Sequence, residues 1–314
     1  MIAGVDAYGR CMLPERVSAL GDLTVNRVGF GAKRLGRDRT RAVALLRQAV
    51  EWGVNHLDTA AFYPTSAGPE HEEHDFDVLG WANDVIREAL RPYREGLVIA
   101  TKVGPTAAGL ARPDELRGLV EADLRALGRD HLDVVYLRQH GLASIAEHFG
   151  ALADLRRAGL IRHLGLSNVR VAHLGQAEAI APVVAVQNRY GVDFGRVNDE
   201  MLELCRGRGI AFVPFFAVTG EGRERGGVAG NDAVTAFARA HAVSPAQVRL
   251  AWTLSRGPHV LAIPGTSSAA HLAENLRAAE LVDLPGLAEL DGAVVGASGA
   301  GGALPGPRRS PDAG

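Results

Sequence analysis

The sequence of 314 residues holds two cysteines, Cys11 and Cys205. Two thiols cannot build a disulfide framework, so a reducing compartment is expected. Basic charge is not in excess: 34 Lys+Arg stand against 36 Asp+Glu, a net charge of −2. A protein that lives on nucleic acid or on an anionic membrane needs a basic excess, so both partners are excluded from the reading. No apolar run reaches the roughly 18 residues that a transmembrane helix requires. The opening stretch, MIAGVDAYGRCMLPERVSAL, has no basic start followed by an apolar core, and no secretory signal is read there. A cytoplasmic location is expected. Nothing in the sequence sets an oligomeric state.

What is present is an ordinary globular composition, 47% hydrophobic and 22% charged, with enough length to bury a large core. Short apolar runs alternate with amphipathic ones. The strand candidates are 26–31, 56–60, 97–103, 132–138, 161–168, 183–190, 210–218 and 259–266. Between them lie helical patterns, beginning with one that Asp38 starts and Gly53 stops, with Val43, Leu46 and Val50 on one face. Others cover 84–94, 113–128, 144–159, 170–181, 198–209, the region up to about 256, and 268–281. Strands apolar throughout imply a parallel sheet covered by helices. Eight such units predict the α/β class and a single-domain (β/α)8 TIM barrel over residues 1–294. Residues 295–314 hold six Gly and three Pro and are expected to be a disordered tail.

In such a barrel, chemistry gathers where strands end. The polar residues there are Asp58 with Tyr63 just beyond, Lys102, Arg138 and His140, Ser167 and Asn168, and Gln187. Asp58, Tyr63 and Lys102 make sense together. A phenol with a pKa near 10 is a poor acid. An adjacent ammonium favours the phenolate and lowers that pKa, and the carboxylate fixes the ammonium. The result is a proton donor for a forming alkoxide, as carbonyl reduction by hydride requires. The segment Gly265-Thr266-Ser267-Ser268 opens a helix, and its N–H groups and hydroxyls can cradle a phosphate. No Rossmann fingerprint competes, because Gly29-Phe30-Gly31 is followed by Arg34 where the third glycine would stand. EHEEHD (70–75) reads as part of a solvated acidic lid over 64–79, and no metal is expected.

The pieces GVNHLDTAAFY, VIATKVG, LDVVYLR, HLGLSNV, VQNRYGV and IPGTSSAAHLAEN resemble, in order, the landmarks of the aldo-keto reductases from about residue 20 to about 292. VNRVGFGAKRL, IREALRPY and GIAFVPFF look most like a bacterial branch that includes pyridoxal reductase. The resemblance implies NADPH as cofactor, with NADH as a variant, and a small-molecule carbonyl as substrate. It implies Tyr63 as proton donor with Asp58 and Lys102 as partners. It places Ser167, Asn168 and Gln187 on the nicotinamide, and Phe215 and Phe216 beside it. Gly31, Ala32, Gly265, Thr266, Ser267, His271 and Asn275 complete the implied cofactor residues.

Three departures qualify that picture. The family's active-site His corresponds to Arg138, with His140 two residues on. The Arg that clamps the cofactor's 2′-phosphate corresponds to His271. The loop after Tyr63 is long and acidic. The expectation is NADPH-dependent reduction of an aldehyde or ketone, with a pyridoxal-like aldehyde as first substrate. The alternatives are a tailoring ketoreductase acting on a sugar or natural-product intermediate, or a nucleotide-binding regulatory subunit with little turnover.

Overall fold

The computed structural model describes residues 17–63, 80–194, 196–218 and 231–292. Cys11, the acidic segment 64–79 and the tail 295–314, on which the sequence raised expectations, lie outside the described residues.

A hairpin comes first, β1 (Val17–Leu20) against β2 (Leu23–Asn26), turning at Gly21 with φ 67°. The next strands are β3 (Phe30–Gly31), β4 (His56–Asp58) and β5 (Val98–Val103). A small hairpin follows, β6 (Pro105–Thr106) with β7 (Gly109–Leu110). Then come β8 (Leu132–Arg138), β9 (Ile161–Ser167), β10 (Val183–Gln187) and β11 (Ala211–Phe212). The main sheet runs β11-β10-β9-β8-β5-β4-β3, and every neighbouring pair is parallel.

The segment 260–262 closes this sheet on itself. Val260 bridges Phe212 on one side and Ala262 bridges Val28 on the other, both parallel. The N–H of Leu261 donates to the Phe212 carbonyl (2.9 Å), and that of Ala262 to the Arg27 carbonyl (2.7 Å). The architecture is the expected (β/α)8 barrel.

Nine helices are described: α1 (Arg39–Glu51), α2 (Trp81–Leu90), α3 (Leu116–Leu127), α4 (Ala146–Arg157), α5 (Val171–Glu178), α6 (Asp199–Arg208), α7 (Asp232–Ala240), α8 (Pro245–Leu254) and α9 (Ala269–Arg277). Their ends follow local chemistry. The Asp38 carboxylate caps α1 by accepting from the N–H of Arg41 (3.1 Å). Gly128 closes α3 in the left-handed region, φ 65°.

Alternation along β5 sorts the core into two layers. Ile99 and Val103 face the helices, whereas Val98 and Ala100 face the barrel interior. Interior residues include Val134, Tyr136, Ala185, Val213 and Leu261, and the hairpin adds Leu20 and Val25 from below. The hairpin sits at the strands' N-terminal ends, where His163 near the start of β9 meets Asp22 of its turn. Lys102 shares the parity of Val98 and Ala100, so it too points inward, two residues nearer the open end than Ala100.

Several element boundaries differ from the sequence reading. The hairpin over 17–26 was not anticipated. α2 stops at Leu90 rather than 94, because Pro92 restricts Arg91 to an extended conformation, ψ 134°. The seventh strand is only Ala211–Phe212, and the eighth makes isolated bridges. Pro214 and Pro264 stand in those runs and donate nothing to a ladder. β9 ends at Ser167 because Asn168 turns to φ 59°. No described helix is long and apolar enough to cross a membrane.

Candidate active site

Asp58 ends β4 and is 1% exposed, inside the open mouth of the barrel. Lys102 on the neighbouring β5 reaches across to it, Nζ to Oδ1 2.5 Å. The same ammonium donates to the Thr59 carbonyl (3.1 Å) and to the Tyr63 Oη (2.6 Å). Tyr63 in turn donates to Asp58 Oδ1 across 3.0 Å. Gln187, at the end of β10, donates its amide to the other carboxylate oxygen (2.7 Å). Burial lowers the pKa of Lys102, with Arg138 adding to the effect, while Asp58 acts against it. His56, two residues before Asp58, is fully buried, and burial pushes its pKa down to about 4. It therefore stays neutral and adds no charge beneath the carboxylate.

A cavity of about 380 Å³ opens above Tyr63. Lys102, Arg138, Ser167, Gln187, Phe215 and Phe216 all line it, and so do Lys33 and Phe62, which the sequence reading did not single out. Ser167 is 1% exposed, and its hydroxyl has no hydrogen-bond partner. Arg138 closes β8, paired with Ser167 in register. His140 lies two residues past the strand, exposed, and lines none of the described cavities.

The cavity continues along the rim. A second depression of about 590 Å³ shares Tyr63, Gln187, Phe215 and Phe216 with the first, and adds Gly31, Arg34 and Gly265. A third, of about 1010 Å³, shares Arg34 and Gly265 with the second and reaches Thr266, His271 and Asn275 on the approach to α9. One groove thus leads from the Tyr63 hydroxyl to the α9 terminus. Close backbone approach shapes it: a Cβ on Gly31 would meet the Ile263 carbonyl at 2.5 Å, and one on Gly265 the Gly31 carbonyl at 2.7 Å. Ala32 is buried beneath this turn. Ser267 is exposed at the rim, whereas the Ser268 side chain caps α9, accepting from the N–H of His271 (3.4 Å). Asn168 holds the end of β9, its N–H donating to the Gln187 carbonyl (3.0 Å).

Behind the strands lies a polar chain that sequence reasoning missed. Thr59 donates to Asn83 (2.8 Å), Asn83 to Asp123 (2.8 Å), and Thr101 to the second Asp123 oxygen (2.6 Å). All four are buried, and burial pushes the Asp123 carboxyl up to about 7. Thr59 and Thr101 adjoin Asp58 and Lys102, so the chain braces the two strands that carry the ion pair.

A phenol held by a buried ammonium–carboxylate pair at the mouth of a (β/α)8 barrel, beside a long groove, is the construction of a barrel enzyme that moves protons next to an extended ligand. The sequence profile of the Aldo/keto reductase family matches residues 27–286. Pyridoxine 4-dehydrogenase of Escherichia coli (strain K12) is 40% identical over 283 residues, covering 83% of this chain and 92% of that protein. Methylglyoxal reductase YeaE of the same organism is 30% identical over 276 residues, covering 86% and 91%. Among solved structures, an aldo-keto reductase from Klebsiella pneumoniae in complex with NADPH superposes with a TM-score of 0.70 at 26% identity, covering 85% of this chain and 90% of that one. The chain belongs to the aldo/keto reductase family, and it is an oxidoreductase.

Proposed function

We propose that this protein reduces an aldehyde or ketone to an alcohol with NADPH, with Tyr63 as the proton donor. The observation that carries the reading is the Tyr63 hydroxyl, 2.6 Å from Lys102 Nζ and 3.0 Å from Asp58 Oδ1, facing an open cavity.

The residues present fit a nicotinamide dinucleotide. Ser167 presents a buried hydroxyl without a partner, suited to an amide group. The Phe215 ring offers a stacking face, and Gln187 fixes Asp58 rather than blocking the cavity. The groove past Gly31 and Gly265 gives a path for the phosphates, with Thr266, His271 and Asn275 at its far end. Arg34 lines the same stretch and supplies a permanent cation. When bound, the nicotinamide supplies the hydride.

The chain's own residues handle the oxygen. Lys102 favours the phenolate form of Tyr63, so the phenol gives up its proton as alkoxide charge develops. Asp58 holds Lys102 in place. Arg138 faces the same cavity, and its guanidinium donates hydrogen bonds to the developing oxyanion. A pyridoxal-like aldehyde is the first substrate to try, given the pyridoxine 4-dehydrogenase relative. The test is loss of nicotinamide absorbance with NADPH and NADH, each against pyridoxal and a panel of other carbonyls. Steady oxidation of NADPH by at least one carbonyl is expected. Tight NADPH binding with no turnover on any of them would overturn the reading.

A further inference from the structure

α2 and α3 each turn one polar side chain into an otherwise apolar buried face. Asn83 lies among Ala82, Val85, Ile86 and Ala89, and Asp123 among Leu116, Val120, Leu124 and Leu127. Apolar side chains of similar volume often hold helices on a sheet at least as well, so a buried polar chain here asks for a role other than packing. Its two ends reach Lys102. At one end Asn83 accepts from the Thr59 hydroxyl, and the N–H of Thr59 donates to the Ala100 carbonyl (2.8 Å). Both bonds fix the residue whose own carbonyl accepts from Lys102 Nζ. At the other end Asp123 accepts from Thr101, the residue before Lys102. An ammonium has three protons. Those of Lys102 go to Asp58, Tyr63 and the Thr59 carbonyl, so the third contact settles how the other two are aimed.

We propose that Asp123 is a positioning residue for the proton donor: through Asn83 and Thr59 on one side and Thr101 on the other, it sets the direction from which Lys102 meets Tyr63. The inference rests on the reading of Tyr63 as the acid and extends its support to a buried group on α3. Charge links the two residues as well, since Asp123 and Lys102 each favour the other's ionised form.

Three substitutions test this. Asp123→Asn and Asp123→Leu remove the same charge, but only Asn can still accept from Asn83 and bond the Thr101 hydroxyl. Thr59→Val leaves Asp123 intact and deletes only the hydroxyl that Asn83 holds. With saturating carbonyl and NADPH, Asp123→Leu and Thr59→Val should lower kcat by about 10- to 100-fold, the scale of a small misplacement of a reacting group. Asp123→Asn should keep most of the turnover. The Kd for NADPH, read by fluorescence, should stay near the parent value in all three.

A second readout needs no turnover. The tyrosinate absorbance of each protein, less that of the same protein carrying Tyr63→Phe, gives the pH midpoint at which Tyr63 ionises. That midpoint should stand about one unit higher in Asp123→Leu than in Asp123→Asn, because a misaimed ammonium favours the phenolate less. Thr59→Val should raise it above that of the unaltered protein. Equal kcat and equal midpoints in the Asn and Leu variants would overturn the inference, and so would a Leu variant whose only losses are NADPH affinity or thermal stability. If Asp123→Leu does not fold, Thr59→Val decides on the same two readouts. If no carbonyl is turned over, the reductase reading falls and the midpoints judge the aim of Lys102: separated midpoints uphold it, and coincident ones overturn it.

Discussion

The ammonium of Lys102 donates to the phenolic oxygen of Tyr63 across 2.6 Å, inside a space where both side chains are buried. A contact this close between a cation and a phenol favours the phenolate, as the proposed role of Tyr63 as proton donor requires. Tyr63→Phe keeps the ring and deletes that proton. Turnover should fall by about 10²- to 10⁴-fold, the usual contribution of general acid catalysis. NADPH dissociation constants, read by fluorescence, should stay near the parent value. Undiminished turnover would remove Tyr63 from the chemistry.

Arg138 and His140 are two residues apart and differ in placement: one lines the cavity, the other is exposed beyond the strand end. Arg138→Met should therefore lower kcat strongly, whereas His140→Gln should act mainly on KM. Steady-state kinetics on a neutral aldehyde distinguish the two. A nearly inactive His140→Gln beside an active Arg138→Met would reverse the assignment.

Arg34 lines the groove together with His271. If it is the cation for a cofactor phosphate, Arg34→Met should raise the KM for NADPH by about tenfold or more and leave that for NADH much less changed. Parallel titration with the two cofactors reads the ratio directly, and an equal loss for both would place Arg34 away from the 2′-phosphate.

Asp123 gives a pH prediction. Its carboxyl is raised from an ordinary 3.8 to about 7 by burial. Between those values the folded protein keeps a proton that the unfolded chain has released. The contribution of this group to stability is thus complete below about pH 4, and it is lost as pH rises through about 7. Asn carries the same hydrogen-bonding shape as the neutral acid, so Asp123→Asn should flatten the decline in denaturation midpoint between pH 5 and pH 8, a span chosen to lie roughly across the shifted pKa. An unchanged pH slope in the variant would show that another group sets it.

The strands and the Asp58–Tyr63–Lys102 set were legible because each leaves a local trace. A strand buried on both faces reads as an unbroken apolar run, and a polar residue closing such a run marks the barrel mouth. The hairpin carried a weaker trace, Gly21-Asp22 between two short runs, which suits a two-residue turn. It passed unnoticed beside the stronger βα rhythm. Lys33 leaves no such trace: it stands just past a short strand, where a lysine by itself reads as an ordinary solvated side chain. The Thr59–Asn83–Asp123–Thr101 chain was beyond any local reading: its members come from the residue after β4, from α2, from α3 and from β5, and only the packing of α2 and α3 on the sheet joins them.

The β1–β2 hairpin closes one end of the barrel. Leu20 and Val25, both 0% exposed, fill the end of the barrel opposite the mouth. Beneath Asp58 and Lys102 the shaft is filled by the buried His56 and Tyr136 and by apolar side chains such as Val98, Val134 and Leu261. If Tyr63 is the proton donor, as proposed, the phenol is recharged from the mouth, the side where the alcohol would depart. On that proposal cofactor, product and returning proton would share one doorway, and a new cycle would wait until it clears.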